Sequence, residues 1–178
     1  MMYDDVLIKL KNKNKILFSK DSPSLKKLVD LLEKQTHKIL ILWAFECAKE
    51  PLRILNQKYP NEQRFNQAYD LCQLWAKGEV KMPEAKRAIL ACHAVAKEIK
   101  DPHDIALCHA LGQGLSTVHV KAHAIGLVVY ELTALVHKFK PDYISEVDHQ
   151  IDKYMDTLLY IQKNIDVNDL KWAQFLDK

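Results

Sequence analysis

DPHDIALCHALGQGLSTVHVKAHAIG, residues 101–126, is the stretch whose reading decides the fold. Asp101 is a capping residue, Pro102 fits the first helical position and Asp104 falls in the first turn, where the helix dipole favours a carboxylate. At about 100° per residue, Ile105, His109, Gly112, Ser116, His119 and His123 lie within roughly 80° of one another. The spacing therefore predicts one helix over 102–123, apolar on most sides, with a narrow stripe of small residues and imidazoles.

The neighbouring stretches carry the same periodicity. Pro83 opens a helix predicted to reach Lys100, whose face of Ala85, Ala88, Ile89, Ala91, Cys92, Val95 and Ala96 is small enough for close packing against the histidine helix. Upstream, Asp21–Ser22–Pro23 starts a helix running to about Gln35, and Thr36 caps the next one. Ile39–Phe45 is apolar all round and implies burial. Pro51 is expected to kink or restart that helix. A third helix spans about 61–77, with Gly78 as its left-handed stop. Downstream, Gly126 marks a bend before Leu127–Phe139. Pro141 begins a long last helix, and the segment 169–176 returns Trp172 and Phe175 to the body. At the other end, Val6, Ile8 and Leu10 alternate with Leu7, Lys9 and Lys11 before the polar KNKNK, which suggests a β-hairpin within residues 1–20.

These readings sum to an all-α, single-domain bundle of about six to seven helices over residues 1–178, with a short N-terminal hairpin. The totals agree. Of 178 residues 48% are hydrophobic and 28% charged, with four glycines and six prolines, a globular and helix-rich profile. The net charge of +3 is uneven: residues 141–178 carry four lysines against eight acids, and the rest of the chain is basic. Three arginines are few for a nucleic-acid reader. No apolar run reaches the roughly 18 residues of a membrane span. The N-terminus lacks the order of a secretory signal, and the four cysteines at 47, 72, 92 and 108 include no CxxC pair. Buried thiols in a cytoplasmic protein, with neither nucleic-acid nor membrane partners, are the expectation; self-association stays open.

Chemistry is sparse. His119 and His123 stand four apart, a ligand spacing, with His109 on the same line and His93 as a fourth candidate if the two helices cross there. That set would hold zinc or another divalent metal and make a metal-dependent helical enzyme. HVKAH lacks the glutamate a zinc protease uses as base, and no carboxylate occurs between Asp104 and Glu131. Buried imidazoles hydrogen-bonded to the backbone account for the stripe equally well. Ser116 and Cys92 lie beside histidines, but no GxSxG elbow or phosphate loop is present. Trp43, Trp75 and Trp172 fall at packing positions. A structural or adaptor bundle is a third reading.

A resemblance narrows the choice. It is carried by WAFECAKEPL (43–52), by Pro60 followed by Arg64, by LWAKGE (74–79), by AKRAILACHAVA (85–96) and by GQGLSTVHVKAHA (112–124). In order and spacing these motifs resemble the Imm-5-like immunity proteins of bacterial polymorphic toxin systems. The family's Asp-x-Arg-Pro-Arg run reads NEQRFN here (61–66), and an arginine-like position reads Cys108–His109. The resemblance implies a non-enzymatic protein that binds and neutralises a cognate toxin, with no catalytic residues to carry over. An occluding inhibitor of a basic toxin needs acidic surface, which this chain offers through Glu146, Asp148, Asp152 and Asp156 in its last helix.

Overall fold

The computed structural model describes residues 2–177, and its organising element is the first part of the histidine stretch. Helix α6 (Pro102–Ser116) touches four other helices and is buried along most of its length. Those neighbours are α3 (His37–Lys58), α4 (Arg64–Ala76), α5 (Met82–Val95) and α7 (His123–Phe139). The remaining helices are α1 (Asp4–Lys11), α2 (Lys26–Glu33) and α8 (Ile144–Asn164), with short 3-10 turns at Pro23–Leu25, Val167–Asp169 and Gln174–Leu176. Among the described residues the fold is all helical, with eight α-helices rather than the expected six to seven, because the N-terminal segment adds α1, and no strand.

Four expectations need correction. The hairpin is absent: Val6–Leu10 lies in α1, and Leu17 and Phe18 are buried in an extended strap. Val6 and Leu10, read as alternating, are also four apart, one helical turn. Acids at Asp4 and Asp5 and lysines at Lys9 and Lys11 suit the dipole of a short helix. Second, Pro51 does not break α3, which runs unbroken for 22 residues with Pro51 buried inside it. Third, the histidine helix ends at Ser116, and a turn over 117–122 leads into α7. There the hydroxyls of Ser116 and Thr117 donate to the carbonyls of Gly112 (2.7 Å) and Gln113 (3.4 Å), a back-bonding that competes with helix continuation. Gly126 sits within α7 rather than at a bend; a Cβ there would meet the Gln113 side chain at 2.3 Å.

Other signals are realised. The Asp101 carboxylate accepts from the His103 amide, and the Thr36 hydroxyl from the Ile39 amide. Gly78 adopts φ +76°. One continuous apolar core links all eight helices. In it the buried Trp43 indole donates to the Tyr154 carbonyl (2.9 Å), tying α3 to α8. The C-terminal segment does fold back: the Ala173 amide donates to the Ala76 carbonyl (2.8 Å), and Phe175 packs on Trp75 at 5.8 Å between ring centres. Cys72, Cys92 and Cys108 are buried and Cys47 half-buried, all as free thiols.

Candidate functional site

The histidine stripe is divided by the turn at 117–122. His93 of α5 and His109 of α6 meet Nδ1 to Nδ1 at 2.9 Å, their tilted rings 5.1 Å apart between centres, and Tyr130 of α7 packs at a tilt on His109 at 5.1 Å. The close crossing requires Gly112, because a Cβ there would stand 2.4 Å from His93 Nε2. His123 bonds the Gln113 side-chain oxygen through Nδ1 at 2.8 Å. His119 lies in the turn, stacked on Trp75 at 6.1 Å. The ligand atoms of His109, His119 and His123 are thus not gathered at one point, although α5 does bring His93 to His109. Burial, and then the neighbouring His109 and His123, push His93 down to about 4. Burial likewise lowers His109 and His123. Burial thus favours the uncharged form of all three imidazoles.

One set of metal-type side chains does converge among the described residues: Asp101, His103 and Asp104 at the start of α6. Its centre is taken by the Lys58 ammonium, 2.7 Å from Asp101 and 2.5 Å from Asp104. Asp104, fully buried, also accepts from the Tyr59 hydroxyl (2.5 Å) and meets His103 Nδ1 at 2.8 Å. Burial pushes the Asp104 carboxyl up, but the bonds from Lys58, Tyr59 and His103 together outweigh it and hold it below the usual carboxylate range. A buried carboxylate so saturated is a clamp between the end of α3 and the start of α6. No periodicity marked it, since its partners on α3 are more than forty residues away.

A second buried acid was equally hidden. Glu131 of α7 is enclosed in the core and accepts a 2.6 Å bond from the Tyr154 hydroxyl of α8. Burial raises it to about 7, against the smaller lowering by Tyr154 and Lys153.

The acidic residues of α8 are exposed as expected, with Val147, Ile151, Tyr154, Leu158 and Ile161 facing inward. Asp148 accepts from the Tyr3 hydroxyl at 2.5 Å, so part of its charge serves the fold. Two apolar residues on the same outer face escaped the sequence reading: Leu159 and Tyr160 are 54% and 62% exposed. At about 100° per residue Leu159 falls in the row of Asp148, Asp152 and Asp156, with Tyr160 beside it. The signal was present in the periodicity, since both residues lie off the inward stripe. Tyr160 and Asp156 border a groove of about 620 Å³ that runs to Phe45 and Glu46 of α3 and Tyr69 of α4.

Comparison with protein families matches residues 30–157 to the family described as "Imm-5 like putative immunity protein". The chain belongs to the Imm-5 like family. The matched span runs from α2 to the middle of α8 and takes in the histidine pair, the Asp104 clamp and Glu131. The family is one of immunity proteins, not of enzymes. No curated protein and no solved structure matches the chain. In this Imm-5 like chain Arg64 bonds both Glu62 and Glu98 at 2.6 Å, joining the start of α4 to the residues after α5. Among the described residues of this Imm-5 like chain, no helix is long and apolar enough to cross a membrane.

Proposed function

We propose that this Imm-5 like protein neutralises a cognate toxin of a bacterial polymorphic toxin system by binding it in the cytoplasm, and that the outer face of α8 is the contact. Family membership over residues 30–157 carries the first part. The composition of α8 supports the second: the carboxylates of Asp152 and Asp156, flanked by Glu146 and Asp148, lead to the exposed Leu159 and Tyr160 at the lip of a groove. An aromatic anchor beside a pocket with a charged rim is the composition that concentrates binding energy in interfaces, and the acidic row suits a basic toxin surface.

The test is co-expression and co-purification with toxins encoded beside this chain. Neutralisation by a stable complex is expected. Tyr160→Ala is expected to weaken the complex by about 30-fold, the size of a typical hot-spot loss of ~2 kcal/mol. Asp152→Lys with Asp156→Lys should slow association most at low salt. If neighbouring toxins are neither bound nor neutralised, the reading fails. If they are neutralised equally well by all these variants, the α8 assignment fails.

A further inference from the structure

The strap after α1 covers a cavity of about 640 Å³ against α6, α7 and the residues following α5. No residue of α8 borders it. Its wall is apolar, with Ile16, Ala96, Pro102, Ile105 and Ala106, and one side carries the rings of Tyr130 and His109. Lys13, Lys15 and Lys97 stand at its edge, and no Asp or Glu lines it. Among the described residues these three ammonium groups have no ion pair or hydrogen bond, unlike Lys38, Lys49 and Lys58.

Among the described residues, three further polar groups around it lack partners. His109 spends Nδ1 on His93, and its Nε2 bonds nothing. The Tyr130 hydroxyl has no partner. His137 lines the cavity and holds an enclosed Nδ1 without a hydrogen bond. Burial keeps His137 and His109 below the usual imidazole range, so both rings offer neutral donor and acceptor atoms. The strap is a built wall. The Leu17 amide donates to Thr133 Oγ1 (3.1 Å), the Asn14 amide to the Lys9 carbonyl (2.9 Å), and Lys13 holds a left-handed φ of 56°. That conformation is unfavourable for a non-glycine residue, and here it turns the chain where the basic edge begins.

We propose that this cavity binds an organic anion with a flat apolar body, its rings against Tyr130 and His109 and its anionic group among Lys13, Lys15 and Lys97. Size, apolar wall and a few unpaired polar groups are the general marks of a small-molecule site. The site shares no residue with the α8 face proposed for toxin contact.

Fluorescence titration of the full chain with 8-anilinonaphthalene-1-sulfonate tests this, with 2-naphthoate, AMP and inorganic phosphate as competitors. One saturable site is expected, weakening with salt and displaced by naphthoate or AMP; whichever competes better tells an aryl acid from a nucleotide. Lys13→Gln, Lys15→Gln and Lys97→Gln together should weaken binding at least ten-fold at unchanged melting temperature, since all three side chains are exposed. In the unmodified protein, naphthoate should shift the imidazole nitrogen resonances of His109 and His137 and leave the exposed His149 in place. Equal binding by the triple variant, displacement by phosphate as effective as by naphthoate, or imidazole shifts no larger than that of His149 would each overturn the proposal.

Discussion

Glu131 is an acid whose neutral form the fold favours. Its carboxyl titrates near 7 in the core, against an ordinary 4.5. The unfolded chain therefore ionises first as pH rises. Stability falls between pH 4.5 and 7, by about 3 kcal/mol in total, and stays level above that. Glu131→Gln keeps the shape and removes the ionisation, so its advantage over the parent should grow across that window in urea unfolding. Parallel pH profiles would contradict the assignment. Gly112 makes a different residue-scale demand. Gly112→Ala should cost about 1–3 kcal/mol, because the new methyl displaces the His93 ring. His93→Ala should then cost less in the Gly112→Ala background than alone, which a double-mutant cycle with thermal melts can measure.

At the scale of elements, the strap depends on one hydroxyl. Thr133 Oγ1 accepts from the Leu17 amide and donates to the Val129 carbonyl. Thr133→Val leaves that buried amide unpaired, so a loss of about 2 kcal/mol is expected, with faster amide exchange confined first to residues 13–18. Uniform exchange across the chain would show that the strap is not a separate unit. This scale also shows what a sequence can and cannot yield. Helices α2 to α5 and α8 were legible from period, caps and Gly78, all properties of neighbouring residues. The break after Ser116 was not, because TVHVKAH keeps helical spacing and only the back-bonding of Ser116 and Thr117 ends the helix. For α1, Val6 and Leu10 fit periods of two and four alike, and only the exposed Ile8 tells them apart. The His93–His109 pair was legible as a condition, a crossing of two small-faced helices. The Asp104 clamp and the Glu131–Tyr154 bond join distant segments and left no local trace.

At the scale of the molecule, two sets of buried groups set opposite pH trends. His93, at about 4, and His109 are held neutral. Depressed values mean that their contribution is complete above about 6.5 and is lost as pH falls towards 4. Glu131 acts in the other direction between 4.5 and 7. The parent protein should therefore show a shallow melting-temperature profile from pH 5 to 7. Glu131→Gln should make it rise with pH, and His93→Gln should make it fall. Below pH 4 the paired Asp101, Asp104, Glu50 and Glu62, all held below their ordinary values, lose their charge and the fold should weaken steeply. A parent profile as steep as either variant's would show that one set is ordinary.

The return of the C-terminal segment gives the molecule an internal optical gauge. Its three indoles occupy three settings. Trp43 is sealed between α3 and α8. Trp75 lies against the His119 and Phe175 rings. Trp172 donates to the Val167 carbonyl and has the Lys38 ammonium 5.7 Å from its ring centre. Lifting residues 170–177 would bare two of these emitters to water and leave the third dark to the event. Ultraviolet emission from the unlabelled protein thus carries both a signal for that docking and, in Trp43, its own reference.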